Sequence, residues 1–332
     1  MNGGRIMGLG GIIMDVFTPI LEIFVPIIPG NIFPYFFGET INGEPLEMFQ
    51  RALIAALMVT IVAGVLGSFL LIRNLALIGD GLAHVSFGGV AVGVVLGAAS
   101  PLWYALLFST IAAILIHELQ TREILTGDAS IAIFLTGMLA LGLVILRLDM
   151  VFNVPVFGLI EINGGGITTD IEGYLFGNLL LIDEQSLDLI SLICIVSLIS
   201  LMSMRSMLLA TAIDPLAARV QGIPVRGIGI CFSIITAAVV VSMVQVVGTL
   251  LVTALLVTPA ATAQLVGRSF RSCMIWTQIF GIVSVLIGLY YSSELDTGSG
   301  SMIALVSAII FALTAAVIAI KNTILSPKDN IN

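Results

Sequence analysis

Residues 73–97 read RNLALIGDGLAHVSFGGVAVGVVLG, and this stretch decides the fold. From Leu75 to Ala98 every residue is apolar or small except Asp80 and His84. About 20 such residues are enough for a helix to cross a bilayer. An ionisable side chain inside that layer costs roughly 2.5–3.5 kcal/mol on insertion scales, so those that occur usually serve a function. Four residues apart, Asp80 and His84 share one face of a helix. A carboxylate beside an imidazole suits a divalent transition metal. A buried ion pair or a helix-packing hydrogen bond without any ligand is the other reading these two residues leave open. Gly79, Gly81, Gly88 and Gly89 surround the pair. Small residues there let helices approach closely or let backbone line a cavity.

The rest of the chain has the same character. It has 332 residues, 59% hydrophobic and 10% charged, with mean hydropathy +1.18. A soluble domain carries about 25% charged residues, so this is a polytopic membrane protein. The net charge of −8 argues against nucleic acid, which demands basic patches. Cys194, Cys231 and Cys273 lie far apart with no CxxC pair, so neither a thiolate metal site nor a disulfide framework is indicated. No cleaved signal peptide is evident. Asp15 and Glu22, seven residues apart, share a helix face near the N-terminus. That spacing fits an amphipathic interfacial helix, or a short first span.

Apolar runs set against polar breaks give nine spans: roughly Ala52–Ile72, Leu75–Ala98, Leu102–Ile116, Ser130–Leu146, Leu187–Met204, Ile228–Val246, Gly248–Val266, Cys273–Tyr291 and Ser301–Ile320. The expected organisation is an N-terminal extension (1–47), a transmembrane domain (48–320) and a cytoplasmic tail (321–332). The longest polar segment, Arg147–Asp188, contains LFGNLL and has room for a short half-inserted helix. With the Met204–Gly227 loop in the cytoplasm, Arg73, Arg122, Arg205, Arg219, Arg226, Arg268, Arg271, Lys321 and Lys328 all fall inside. Only Arg51 and Arg147 fall outside, with Arg5 undecided. The positive-inside rule selects this direction, which makes the C-terminus cytoplasmic. The outer loops are correspondingly acidic; an acidic face raises the local cation concentration, but for most of these residues the simpler reading is that Asp and Glu fill the loops that lack Lys and Arg.

Two further stretches carry information. In MRSMLLATAIDPLAARVQGIPVRG (204–227), Asp214 can cap a short helix starting at Pro215, the favoured first-turn position. That helix should run Pro215–Val220 and stop at Gly222, with Pro224 preventing continuation. In VVGTLLVTALLVTPAATAQLV (246–266), Pro259 should kink a packing helix that bears Thr249, Thr253, Thr258 and Thr262. His117, the other histidine, sits in IHELQTRE beside Glu118 and near Arg122, as expected of a solvated helix end. There is no GxxxxGK[ST] phosphate loop, no HExxH and no GxSxG. The chain therefore lacks the means to hydrolyse ATP or a peptide itself.

GSFLLIRNLALIGDGLAHVSFGGVAVGVVLG, DIEGYLFGNLLLID, AIDPLAARVQGIPV, VVGTLLVTALLVTPAATAQLV and YYSSELDTGSG follow one another along the chain. In sequence and order they resemble the permeases of zinc/manganese-type ABC importers, over about Met48 to Ile320. The resemblance implies an all-α polytopic permease fold of the vitamin B12/metal-chelate importer type. It implies a homodimer resting on separate cytoplasmic ATPase subunits. It further implies an extracytoplasmic metal-binding protein that delivers zinc or manganese, with no cofactor held by this chain. Asp80 and His84 match the family's intramembrane metal-contact pair, and Asp296 in LDTGSG matches an acidic position near the start of the last span. Asp214, Pro215, Leu216, Ala217, Arg219 and Gly222 match the coupling helix that sits in a groove on the ATPase.

The chain departs from its relatives in three places. The stretch up to about Gly38 is longer than usual. VPVFGLIEINGGGITT enlarges an outer loop. VSFGG follows His84 where many relatives place a proline before the glycine. Two other functions share much of this pattern: a permease for a metal chelate or siderophore, and a cation-coupled secondary transporter with Asp80 as relay. The Asp/His pair disfavours the first and the coupling-loop pattern the second. A membrane-embedded enzyme would need a nucleophile or metalloprotease constellation that is missing.

Overall fold

The computed structural model describes residues 8–41, 44–98, 100–152, 177 and 179–325. VPVFGLIEINGGGITT, half of LFGNLL (175, 176 and 178) and the end of the tail lie outside the described residues; the last two residues of LFGNLL open a 3-10 turn, Leu179–Leu181. Among the described residues the regular structure is helical apart from a hairpin in which Thr40–Ile41 pairs with Glu44–Pro45. The helices are α1 (Leu9–Glu22), α2 (Glu47–Ile72), α3 (Ile78–Val95), α4 (Leu102–Thr121), α5 (Gly127–Phe152) and α6 (Glu184–Ser203). They continue as α7 (Arg205–Ile213), α8 (Pro215–Val220), α9 (Val225–Val247), α10 (Val252–Val266), α11 (Phe270–Glu294) and α12 (Ser299–Leu325).

Eight of these are long and apolar enough to cross a membrane: α2 to α6, α9, α11 and α12. The ninth expected span, Gly248–Val266, is shorter than its composition predicts. Gly248 takes φ +83°, a 3-10 turn follows at Thr249–Leu251, and α10 begins only at Val252. Its 15 residues rise about 22 Å, short of the ~30 Å hydrocarbon layer. The helix continues through Pro259, which lies within it.

Burial sorts the helices. α2, α3 and α9 are enclosed on most sides, whereas α5 and α12 expose most of their surface. α3 packs on α5 and α4, α2 on α10, α11 and α6, and α12 on α11. The bundle core centres on Leu53, Leu66, Phe69, Leu82, Phe232 and Leu256, each essentially sealed from solvent. In bilayer the apolar exterior meets lipid tails, so burial alone gives no drive for helix association and close packing must supply it.

One end of the bundle collects basic residues. Arg226 and Arg122 both bond Glu118 at 2.7 Å, and Arg73 bonds Thr211 at 2.7 Å. At the opposite end the N-terminal segment folds over α2, α6 and α11. The Glu294 carboxylate accepts from the backbone amides of Asn31, Ile32 and Phe33, and that of Asp188 from Gly10. Phe33, Phe36 and Phe37 pack edge-on or tilted against one another and against Tyr290 and Phe49. α1 has 14 residues, fewer than the ~20 that cross a bilayer, and Asp15 and Glu22 are both exposed.

Candidate functional site

α3 is paved with glycine where its neighbours come close. A methyl group on Gly89 would stand 2.8 Å from the Tyr104 carbonyl of α4, and one on Gly88 would stand 2.7 Å from the Met138 carbonyl of α5. Gly79 likewise faces Leu256 and Val252 of α10. Three helices thus close around α3, and all but a few of its residues are buried. Asp80 is an exception, with a 35% exposed side chain. It lies in the first turn, where a carboxylate is favoured by the helix dipole. His84, one turn further on, is 10% exposed.

Asp80 Oδ1 and His84 Nε2 are 3.6 Å apart. That gap is longer than a good hydrogen bond. It fits an ion between them: with bonds of about 2.1 Å to each atom, the angle at the metal is roughly 120°, within the range of tetrahedral and more open sites. The other ring nitrogen, Nδ1, is buried without a hydrogen-bond partner. No group of three or more His, Cys, Asp or Glu able to hold a metal occurs among the described residues. Among the described residues, Asp80 and His84 are thus two groups that could ligate one ion, and the Asp80 side is open.

Asp296 stands elsewhere. It is an exposed residue at φ +51° in the turn between α11 and α12. Its neighbour Glu294 holds the segment that packs on Phe49, at the start of α2. The pair lies near the other end of α2, because Leu256 lies against both Gly67 and Gly79. Some twenty residues of α2 separate the two levels, about 30 Å of helix. A single chain does not bring Asp296 to Asp80 and His84.

The short helix of the 204–227 loop has the limits its sequence predicts. Asp214 accepts from the amides of Leu216 and Ala217, both at 2.9 Å, and α8 runs Pro215–Val220. Gly222 takes φ +80°, a conformation that favours glycine, and the chain turns into α9. Only Ala218 of α8 is buried. Leu216 is 72% exposed, Val220 89% and the adjacent Ile213 77%. Apolar side chains so exposed at the basic end, among polar neighbours, form a candidate docking surface.

Arg73 was legible in the sequence only as one more inner positive charge. Its guanidinium is in fact half-buried, bonded to Thr211 of α7 and stacked 4.5 Å from the ring centroid of Phe232 on α9. Burial lowers its pKa to about 10, so it stays charged at neutral pH. His117 is also less solvated than its sequence implies, because its ring packs on Gly229 of α9.

A bundle of eight long apolar helices, with ionisable side chains inside it and a short exposed helix at one end, has the architecture of a membrane transport subunit. The chain belongs to the ABC 3 transport family, whose profile matches residues 45–318. It is 31% identical over 277 residues to the manganese import system permease protein ScaB of Streptococcus parasanguinis, covering 83% of this chain and 93% of that one. It is 30% identical over 268 residues to the high-affinity zinc uptake system membrane protein ZnuB of Haemophilus influenzae, covering 81% and 97%. Among solved structures it resembles PsaBC from Streptococcus pneumoniae in complex with Fab, with TM-score 0.68 and 30% identity over 81% of this chain and 91% of that one.

Proposed function

We propose that this chain is the membrane-spanning permease subunit of an ATP-driven importer of divalent transition metal ions, with zinc or manganese as the cargo. Iron is a third ion the same ligand pair suits. The observation that carries this reading is the Asp80–His84 pair: two spaced ligands, half-open, on a helix otherwise sealed by its neighbours. The manganese and zinc permeases among its relatives support the same cargo class.

The basic end, with α8, faces the cytoplasm, as does the C-terminus, and the chain resides in the cell membrane. Asp214, Pro215, Leu216, Ala217, Arg219 and Gly222 build the element that a separate ATPase subunit grips. Two copies of the chain meet on the open side of Asp80, which raises the ligand count toward that of a stable site. An extracytoplasmic metal-binding protein hands the ion to the outer mouth, where Asp296 is an acidic position on its way in. ATP binding draws the coupling helices together and rocks the two copies, exposing the pair to one side and then the other. Two ligands per chain make a weak site, and a transporter needs one that releases its ion. Coordination uses the Asp80 carboxylate and the lone pair of His84 Nε2.

The test is uptake of radioactive zinc and manganese by cells without other importers of these ions, carrying this chain, its ATPase and its delivery protein. Uptake should require all three components and should be lost in the Asp80→Ala/His84→Ala double variant while the ATPase still co-purifies. Uptake of an iron chelate instead of free ions would favour the chelate-permease reading. Uptake independent of the ATPase would favour the secondary transporter.

A further inference from the structure

The docking helix α8 and the metal pair on α3 are far apart in sequence, and motion at one must reach the other. α8 hangs between α7 and α9. Asp214 is both the last cap of α7 and the first cap of α8, so a displacement of α8 passes directly into α7. Outside this unit, the side chain of Arg73 touches both flanking helices. The Nη2 of Arg73 donates to Thr211 Oγ1 at 2.7 Å, and Thr211 in turn donates to the Leu208 carbonyl of its own helix at 3.1 Å. The same guanidinium lies over Phe232 of α9. Thr211 is three residues before Asp214, and Arg73 is the first residue after α2, seven before Asp80.

Arg73 is costly to hold in this place. Burial depresses its pKa, no carboxylate pairs with it among the described residues, and its Nε is buried without a partner. A half-buried, unpaired cation with an unused donor is a poor choice for stability alone. The turn that follows it is also fixed: Asn74 takes φ +55° and the Leu75 amide bonds back to the Leu70 carbonyl. Displacement of Arg73 is therefore carried into the start of α3 through a short, hydrogen-bonded turn.

We propose that Arg73 is a positioning residue that couples the docking helix to the metal pair. It grips the helices on both sides of α8 through Thr211 and Phe232 and carries their movement to the first turn of α3. The proposal rests on the assignment of α8 to ATPase docking and of Asp80 and His84 to the cargo.

The experiment uses the permease–ATPase complex in liposomes, with ions transported and ATP hydrolysed measured in the same vesicles. Thr211→Val removes the hydroxyl at nearly constant volume, and Arg73→Gln removes the charge. Both variants should capture the ATPase as the unmodified chain does and should continue to hydrolyse ATP. Ions carried per ATP should fall about tenfold, the scale expected for loss of one buried hydrogen bond to a charged group. The double variant should be no worse than Arg73→Gln alone, since Thr211 acts through Arg73. Arg73→Lys, which keeps the charge without the planar face, should restore part of the ratio. Ions per ATP unchanged in Thr211→Val would overturn the proposal, even if Arg73→Gln failed to fold. So would a loss of transport that tracks the amount of assembled complex, because that is a structural role. Failure of the unmodified chain to capture the ATPase would instead remove the docking assignment on which the link depends.

Discussion

α3 and α8 are opposites. α3 is 18 residues long, packed against α4, α5 and α10 among others, and its informative residues are the two ionisable ones in apolar surroundings. α8 is six residues long, almost wholly exposed, and its informative residues are the apolar ones in polar surroundings. In both places the functional signal is a side chain in the wrong solvent. A carboxylate and an imidazole inside a bilayer make a candidate ion site; a leucine and a valine in water make a candidate protein contact. On the proposed function the contrast also separates cargo from power, with α3 assigned to the ion and α8 to the partner ATPase.

The sharpest way to break this comparison is to give α8 the polarity its surroundings would favour. Leu216→Asp with Val220→Asp should leave the helix folded, because neither side chain packs inside the chain. ATPase capture in detergent should nevertheless be lost and uptake should fall by about a hundredfold or more, as hot-spot truncations at interfaces do. Normal capture would mean that the exposed apolar pair is not the contact. A smaller effect is expected from the cap. Asp214→Ala removes two hydrogen bonds to backbone amides and should destabilise α8 by about 1 kcal/mol. Uptake should then decline severalfold without being abolished, and Asp214→Asn, which still caps, should recover most of it.

The two regions also differ in how much of them could be read from sequence. α8 was legible at both ends, because Asp-Pro and a glycine at positive φ are local signals that act over two or three residues. The presence of α3 and the shared face of Asp80 and His84 were legible for the same reason: helix periodicity is local. The 3.6 Å spacing and the unequal exposure of the pair were not, because they depend on which helices close over α3. α10 misled, since 246–266 is almost uniformly apolar and only the conformation of Gly248 shortens the helix.

Contacts between distant parts of the chain left no trace in its pattern. Arg73 meets Thr211 across 138 positions, and Glu294 meets the Asn31–Phe33 amides across more than 260. A single arginine after an apolar run reads as an inner-face charge whatever it touches. The family resemblance carried the assignment of the pair to a metal further than chemistry alone did, since Asp with His also makes an ordinary ion pair.

The most direct test of the central claim exploits the fact that the chain has only two histidines, His84 and His117. Equilibrium binding of radioactive zinc to the purified permease–ATPase complex would be measured for the unmodified chain, His84→Ala and His117→Ala. Binding at the permease should disappear in His84→Ala and persist in His117→Ala, whose ring packs against α9 away from the pair. Zinc bound by His84→Ala at the level of the unmodified chain would contradict the assignment of α3 as the cargo site.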